Sequence, residues 1–179
     1  GQHKRQQLRL VTNLGERLTR DGKLMEDLFA GSTINTPSML CLEDYLAAHA
    51  WAESVGGLKG TIARSEANAG VIDAWVTRTP WIAYLARVPE TRSNTSVCLK
   101  FTDPAITSLT ADAQAEFSKK LVALVEKEAA GYDFAYYRDA PAGLRIWCGA
   151  TVEASDVALL TQWIDWAFAE TKAALPKAA

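Results

Sequence analysis

Two arginines in the last third of the sequence have the residue type and the spacing to bind an anion. Arg138 and Arg145 lie seven positions apart, and the segment between them contains Pro141 and Gly143. Proline and glycine in such a segment predict a turn, so the two guanidinium groups can lie near one another at the edge of a sheet. A planar guanidinium binds two carboxylate or phosphate oxygens at once. The pair is therefore a candidate site for a carboxylate or a dianion.

Periodicity favours a plainer role for Arg145. The run Leu144 to Cys148 alternates like a strand, which places Leu144, Ile146 and Cys148 on the core face and Arg145 beside Trp147 on the other face. A surface arginine over Trp147 would make a cation–π contact, and by periodicity this is favoured over a ligand role. Both interpretations remain open on the pattern alone.

A second candidate anion site lies in the first third of the sequence. Asn35, Thr36 and Ser38 can hydrogen-bond locally, and Pro37 suits a first helical turn, so this stretch predicts the start of a helix. Unpaired N–H groups and the positive end of the helix dipole favour phosphate or carboxylate there, and Asn35 and Thr36 can add side-chain donors. Taken alone, the stretch more often serves only as a helix cap.

Composition limits the other functions. The 179 residues are 49% hydrophobic and 22% charged, with a net charge of -2, which fits one globular domain and gives no electrostatic reason to expect a nucleic acid or an anionic membrane as partner. Cys41, Cys98 and Cys148 are an odd number of widely spaced cysteines, which predicts free thiols rather than a disulfide or a metal site. No stretch approaches the roughly 20 apolar residues of a membrane span. We therefore expect a cytoplasmic protein.

The elements that must position these residues follow from the spacing of apolar side chains. Residues 1–16 are polar and basic and remain an unassigned arm or linker. A short helix is expected after the Asp21-Gly22 turn signal, and Gly131 is a plausible cap for the helix that begins at Thr110. The order predicts an α+β fold with an antiparallel or mixed sheet and helices packed on one face. The longer predicted elements are helices over 38–55, 58–76, from Thr110 and over 155–174, and strands over 81–86, 93–101, 132–137 and 144–148.

Two stretches, 34–46 and 137–153, resemble the carboxy-terminal part of phosphoserine aminotransferases, class V enzymes that use pyridoxal 5'-phosphate. The first reads Ile-Asn-Thr-Pro-Ser-Met-Leu-Cys-Leu-Glu-Asp-Tyr-Leu, and the second contains Tyr-Arg-Asp-Ala-Pro-Ala-Gly-Leu-Arg-Ile-Trp-Cys-Gly. The resemblance extends roughly from Arg17 to the end. It implies that residues 17–179 form the small C-terminal domain of a fold-type I transferase, which works in serine biosynthesis as a cytoplasmic homodimer. Such enzymes interconvert 3-phosphohydroxypyruvate plus glutamate and O-phosphoserine plus 2-oxoglutarate.

The resemblance also implies roles for the candidate residues. Arg145 matches the arginine that holds the substrate α-carboxylate in the family. This match reverses the preference for a structural role of Arg145. Tyr137-Arg138 match an upstream basic pair that helps bind the substrate phosphate or side-chain carboxylate, with tyrosine where some members have histidine. Asn35 and Thr36 match the element that reaches across the dimer to the phosphate of the neighbouring subunit's cofactor.

Catalysis by such an enzyme needs a lysine that forms a Schiff base with the cofactor. In the family this lysine lies in the large domain, upstream of the matched region. Lys23, Lys100, Lys119 and Lys120 are not expected in the buried setting that lowers the pKa of an amine. No catalytic residue is assigned within the chain, and the chain alone is predicted to be inactive.

Two other functions fit the same residues. One is a non-catalytic module, derived from an aminotransferase, that binds small anions through Asn35 and Arg145. The other is a structural dimerisation domain of the same origin.

Overall fold

The computed structural model describes residues 38–176 continuously, together with residues 19, 20, 23, 24, 26 and 30. The contacts divide the chain into two compact units, Gly1–Ala50 and Trp51–Ala179. The arm over 1–16 lies outside the described residues, so the predicted division of the chain at residue 17 stays a prediction.

A short antiparallel ladder is described in the first unit. Strand β1, Thr19–Arg20, pairs with β2, Lys23–Leu24, and Thr19 lies opposite Leu24. The short helix expected after Gly22, with Lys23 preceding it, therefore does not include Leu24, and most of its other residues lie outside the described part of the chain. At Leu24, strand pairing prevailed over the helix-like spacing of the apolar residues.

Helix α1, Met39–Ser54, spans the boundary between the two units. Ser38 caps it, because its Oγ accepts a hydrogen bond from the Cys41 N–H at 3.4 Å and its carbonyl accepts one from Leu42 at 3.1 Å. The predicted helix start is thus confirmed. None of the side chains of α1 is buried. Its exposed large apolar residues are Met39, Leu40, Leu42, Tyr45, Leu46 and Trp51.

The second unit is an α+β fold with a three-stranded antiparallel sheet, as the sequence predicted. The strands lie in the order β3-β4-β5, and β4 pairs with both neighbours. The elements are α2 Gly57–Arg78, β3 Ile82–Tyr84, a 3-10 helix Pro89–Thr91, β4 Ser96–Phe101, the short α3 Pro104–Thr107, α4 Ala111–Lys127, β5 Gly143–Trp147 and α5 Ala154–Ala173.

Helices cover one face of this sheet and build the core with it. Along β4, Val97, Leu99 and Phe101 are buried while the residues between them are half-buried, which is the alternation that the sequence predicted. Helix α5 packs against both α2 and α4. Trp81 stacks on Phe168 of α5, with ring centroids 3.8 Å apart and planes within 7°. Aromatic packing therefore joins α5 to the sheet side of the core.

The polar tip of Trp75 also finds a partner across this core. Its Nε1–H donates to the Asp165 carboxylate at 3.0 Å, so a helix α2 side chain is tied to α5 over 90 positions of sequence. Burial raises the pKa of Asp165, although the hydrogen bond from Trp75 acts in the opposite direction.

Helix α4 ends before the glycine that was expected to cap it. Ala129 has a φ of 55° and its N–H donates to Glu126, while the N–H of Ala130 donates to Val125. This is the left-handed ending that glycine usually provides, here made by an alanine. Gly131 instead allows close packing, since a Cβ atom there would lie 2.6 Å from Leu160 Cδ1.

The segment before β5 is mostly irregular, although a strand was predicted over Tyr132–Tyr137. Only Ala135 bridges to Leu144. Asp133 has a φ of 53°, which interrupts the extended backbone that a longer strand would need. Among the described residues, no helix combines the length and the apolar character needed to cross a membrane.

Candidate functional site

The outer face of the sheet, opposite the helices, carries Arg145 at the centre of β5. Its neighbours along the strand, Leu144 and Ile146, are each 1% exposed and lie in the core, and Cys148 is fully buried. The register pairs Arg145 with Cys98 of β4. The predicted division of this strand into two faces is confirmed, and it leaves the Arg145 side chain 17% exposed.

The Arg145 guanidinium is held by the irregular segment that precedes β5. Nη2 donates to Oδ1 of Asp133 at 2.9 Å and to the Asp133 carbonyl at 3.2 Å. The guanidinium carbon lies 4.9 Å from the centroid of the Tyr137 ring. The backbone N–H of Arg145 donates to Phe134 at 3.0 Å. These contacts fix the orientation of the charged group above the sheet.

The surroundings of Arg145 also shift the pKa of its guanidinium. Burial lowers the pKa of the guanidinium, but the hydrogen bond and the negative charge of Asp133 more than offset this effect. The pKa of Arg145 therefore lies above its usual value. A permanent positive charge on the open face of the sheet suits the binding of an anion.

The aromatic partner of Arg145 is Tyr137 and not Trp147, which corrects the plainer expectation from periodicity. Trp147 lies on the same face but reaches along the strand toward the following turn, where its Nε1–H donates to Thr151 at 3.3 Å. Its ring covers Gly149 so closely that a Cβ atom there would lie 2.3 Å from it. The Trp147 ring is thus engaged by the turn, and Tyr137 from the preceding segment lies beside the guanidinium.

Tyr137 and Arg138 begin the turn that leads into β5. The N–H of Ala140 donates to the Tyr137 carbonyl at 2.9 Å, and the Tyr137 hydroxyl lies 3.4 Å from Ser96 Oγ on β4. The Arg138 side chain is 93% exposed, and its Nε lies 3.8 Å from the carboxylate of Asp139. The structure thus brings Tyr137 to Arg145 and leaves the Arg138 guanidinium in solvent.

The other predicted anion site cannot be placed in the same way. Asn35 and Thr36 lie outside the described residues, and the helix that follows them begins at Met39. Their role therefore stays a prediction.

Asn68 was not singled out from the sequence, yet it organises the turn after β5. It is 1% exposed, and its Nδ2 donates to the carbonyls of Cys148, Gly149 and Val152 at 3.3, 3.1 and 3.0 Å. Arg64, one helical turn earlier on α2, donates to the Ala150 carbonyl at 2.8 Å and pairs with Glu153. Asn68 lies on the same helix face as the buried Ile72 and Trp75, and a polar residue on an apolar face was the signal in the sequence that could have identified it.

Asp133 was also missed, because it lies in a stretch whose alternation predicted an ordinary strand. The Asp133 side chain is 88% exposed, and its carboxylate accepts a hydrogen bond from Arg145. An aspartate tolerates the left-handed conformation. The position of Asp133 shortly before a predicted strand was the signal in the sequence that could have identified it.

The described lysines provide no buried amine. All are exposed except Lys100, which is half-buried in β4. Lys119 and Lys120 lie on the exposed side of α4, while Ser118 beside them is buried and donates to the Gly143 carbonyl at 2.7 Å. Among the residues that the structure describes, no group of three or more His, Cys, Asp or Glu side chains is arranged to hold a metal ion.

Two curated relatives that match the chain are phosphoserine aminotransferases. The chain is 51% identical over 152 residues to the phosphoserine aminotransferase of Methanosarcina mazei and 52% identical over the same length to that of Methanosarcina barkeri. Each match covers 85% of this chain and 38% of the relative. The chain therefore spans less than half the length of the curated relatives it matches. No protein-family model matches it.

Solved structures share the fold over a similar extent. A phosphoserine aminotransferase studied for radiation damage of its Schiff base superposes with a TM-score of 0.64 at 14% identity, over 80% of this chain and 36% of that one. The phosphoserine aminotransferase of Bacillus circulans subsp. alkalophilus gives a TM-score of 0.55 at 19% identity, over 82% of this chain and 42% of that one. The resemblance to part of a phosphoserine aminotransferase, and the α+β fold, are confirmed.

Proposed function

We propose that the chain is the carboxy-terminal domain of a phosphoserine aminotransferase, which transfers an amino group between glutamate and 3-phosphohydroxypyruvate in serine biosynthesis. The observation that carries this proposal is the identity of 51% over 152 residues. In this proposal residues 17–179 form the domain, and residues 1–16 are its connection to the rest of the enzyme.

Within that enzyme, Arg145 binds the α-carboxylate that both amino-acid substrates carry. It is charged, it lies on the open face of the sheet, and the Tyr137 ring limits its orientation. Arg138, in the exposed turn, reaches the distal phosphate or carboxylate of the substrate. With one guanidinium at each end of the bound substrate, the site would select substrates by the distance between their two acidic groups as well as by their charge.

Pyridoxal 5'-phosphate, when bound, supplies the electron sink for amino-group transfer. The described lysines are exposed or, for Lys100, half-buried, so none has the buried setting that suits an amine bonded to the cofactor. The described residues would therefore bind the substrate and not the reactive carbon of the cofactor. The reactive amine would then come from a large domain outside this sequence, and the chain alone would be inactive. Asn35 and Thr36 would donate hydrogen bonds to the phosphate of the cofactor in the neighbouring subunit.

The partners in this proposal are that large domain and a second subunit, in a cytoplasmic homodimer. Exposed apolar side chains along α1 support the need for a covering surface. The same feature favours the alternative of a non-catalytic dimerisation domain, which makes a direct test of activity necessary.

The test is a chimeric enzyme. The matching 38% of the Methanosarcina mazei protein is replaced by this chain, and formation of glutamate from O-phosphoserine and 2-oxoglutarate is measured. We expect activity within about tenfold of the parent enzyme, and none from the chain alone. A folded, dimeric chimera that binds the cofactor but does not transaminate would contradict the proposal and favour the dimerisation domain.

A further inference from the structure

In the Arg145 guanidinium, the nitrogen that is common to both carboxylate-binding edges already donates hydrogen bonds within the protein. A carboxylate can bind a guanidinium at two points along either of two edges, one formed by Nε and Nη2 and the other by Nη1 and Nη2. Both edges include Nη2. In this structure Nη2 donates to two oxygens of Asp133, at 2.9 and 3.2 Å. Because each edge needs Nη2, a substrate carboxylate that binds at two points must compete with Asp133 for this nitrogen.

The hold of Asp133 is of a kind that can be released. The Asp133 side chain is 88% exposed and therefore largely hydrated while it is paired, so the carboxylate loses little free energy when it leaves Arg145. Its segment is joined to β5 by the single bridge at Ala135 and by the bond from the Arg145 N–H to Phe134. Neither of these backbone contacts depends on the Asp133 side chain.

We infer that the Asp133 carboxylate takes the place of a substrate carboxylate on Arg145 and must leave before a substrate can bind at two points. Asp133 then sets the affinity for the substrate by competing with it. This inference rests on the proposed function of Arg145. It goes beyond that function because it assigns a role to a residue that makes no contact with the bound substrate.

The size of the effect follows from the exposure of the pair. An ion pair with an exposed partner such as Asp133 contributes about 0.2–1 kcal/mol, which corresponds to an unpaired guanidinium in roughly one sixth to two fifths of molecules. The apparent affinity for the substrate is reduced by the same fraction. Removing the Asp133 carboxylate should therefore tighten substrate binding about two- to sixfold, whereas removing a residue that merely supports Arg145 would weaken it.

The first measurement needs no catalysis. In the chain itself, ¹⁵N-resolved NMR of the arginine side chains should show restricted rotation of the Arg145 guanidinium. The Asp133→Asn variant should weaken this restriction, because it removes the negative charge while the Asp133 carbonyl and the Tyr137 ring still contact the guanidinium. Glu126→Gln, the same charge change on the exposed side of α4, should leave the restriction unchanged. Free rotation in the unmodified chain would show that the pair does not form in solution and would overturn the inference whatever the chimera does.

The second measurement uses the active chimera. In Asp133→Asn the KM for glutamate and for O-phosphoserine should fall about two- to sixfold with kcat within twofold, and Glu126→Gln should match the parent. A raised KM would show that Asp133 supports Arg145, and an unchanged KM would show an idle surface pair; both results overturn the inference. An inactive parent chimera would count against the proposed function instead, and the NMR result would still decide whether Asp133 occupies Arg145.

Discussion

Arg145 gains its character from its immediate neighbours. A strand places it on the open face, the Tyr137 ring lies beside its guanidinium plane, and Asp133 accepts a hydrogen bond from it. The alternation of Leu144, Ile146 and Cys148 predicted that face from the sequence. It did not predict which side chains would meet the guanidinium, because those contacts come from an irregular segment whose path depends on one left-handed residue.

Substituting Arg145 tests its role directly. Arg145→Lys keeps the charge but loses two-point binding, so kcat/KM of the chimera for glutamate and for O-phosphoserine should fall together by roughly ten- to a thousandfold. Both substrates carry the same α-carboxylate and must both be affected. Arg87→Lys, at an exposed loop position, is the matched control. If both efficiencies stay within twofold while the melting temperature drops, Arg145 has only a structural role.

Asn68 is a second residue whose importance appears only in three dimensions. Replacing it by alanine leaves the carbonyls of Cys148, Gly149 and Val152 without its donor inside the protein, which should lower the free energy of unfolding by about 2–3 kcal/mol. Urea denaturation followed by tryptophan fluorescence measures this loss. Asn94→Ala, at an exposed position, should cost less than about 0.5 kcal/mol. Equal stability of the two variants would mean that water replaces the Asn68 amide.

At the scale of elements, long periodic segments were predictable and short or irregular ones were not. Helices α4 and α5 begin within one residue of their predicted starts, where the apolar spacing is regular and, for α4, Thr110 caps the helix by accepting a bond from the Ala113 N–H. The strand expected over Tyr132–Tyr137 is reduced to a bridge by the backbone at Asp133. Ala129, and not Gly131, takes the left-handed position after α4. Such choices depend on tertiary packing, which a local pattern does not contain.

One side-chain pair links two elements in a pH-dependent way. Asp103 caps α3 through the Ala105 N–H at 2.9 Å and accepts a hydrogen bond from Lys172, in the last turn of α5, at 2.6 Å. Burial raises the pKa of Asp103, but the bonds from Lys172 and Ala105 outweigh it, so the pKa is lowered. A lowered carboxyl pKa stabilises the fold at pH values above the unfolded pKa, and this contribution is lost as the pH falls through the folded pKa.

Asp103→Asn should therefore destabilise the protein by about 0.5–2 kcal/mol at pH 7, with a difference from the parent that shrinks below about pH 4. Thermal unfolding across pH 3 to 7 measures this dependence. Asp112→Asn, in the exposed first turn of α4, should show a smaller and flatter difference. A loss that is constant with pH would mean that the cap geometry, and not the charge, is what stabilises α3.

At the scale of the molecule, the distribution of apolar surface is uneven. The core of the second unit is filled by the sheet and its helices, whereas α1 and the start of α2 expose large apolar side chains. Leu40 and Leu58 are 72% and 77% exposed. None of the side chains of α1 is buried, although apolar residues recur along it at helical spacing.

The chain should therefore self-associate. At micromolar concentration, sedimentation should give a mass above the 19.5 kDa of one chain, and the double variant Leu40→Glu/Leu58→Glu should shift it toward the monomer. Val88→Glu, which changes an exposed apolar residue in a loop, should leave the mass distribution unchanged. A clean monomer in the unmodified chain would show that these side chains need no partner.

The bonds between α2 and the later part of the chain bear on how the protein is made. Arg64, Asn68 and Trp75 bond with residues 80 to 90 positions further along. On the ribosome, α2 emerges long before these partners exist, and closing so long a segment is slow. Nascent chains stalled before Ala154 should therefore be readily cleaved by protease at α2, and resistance should appear only once α5 has emerged. The second unit would then fold as a late, nearly single event at the end of its own synthesis.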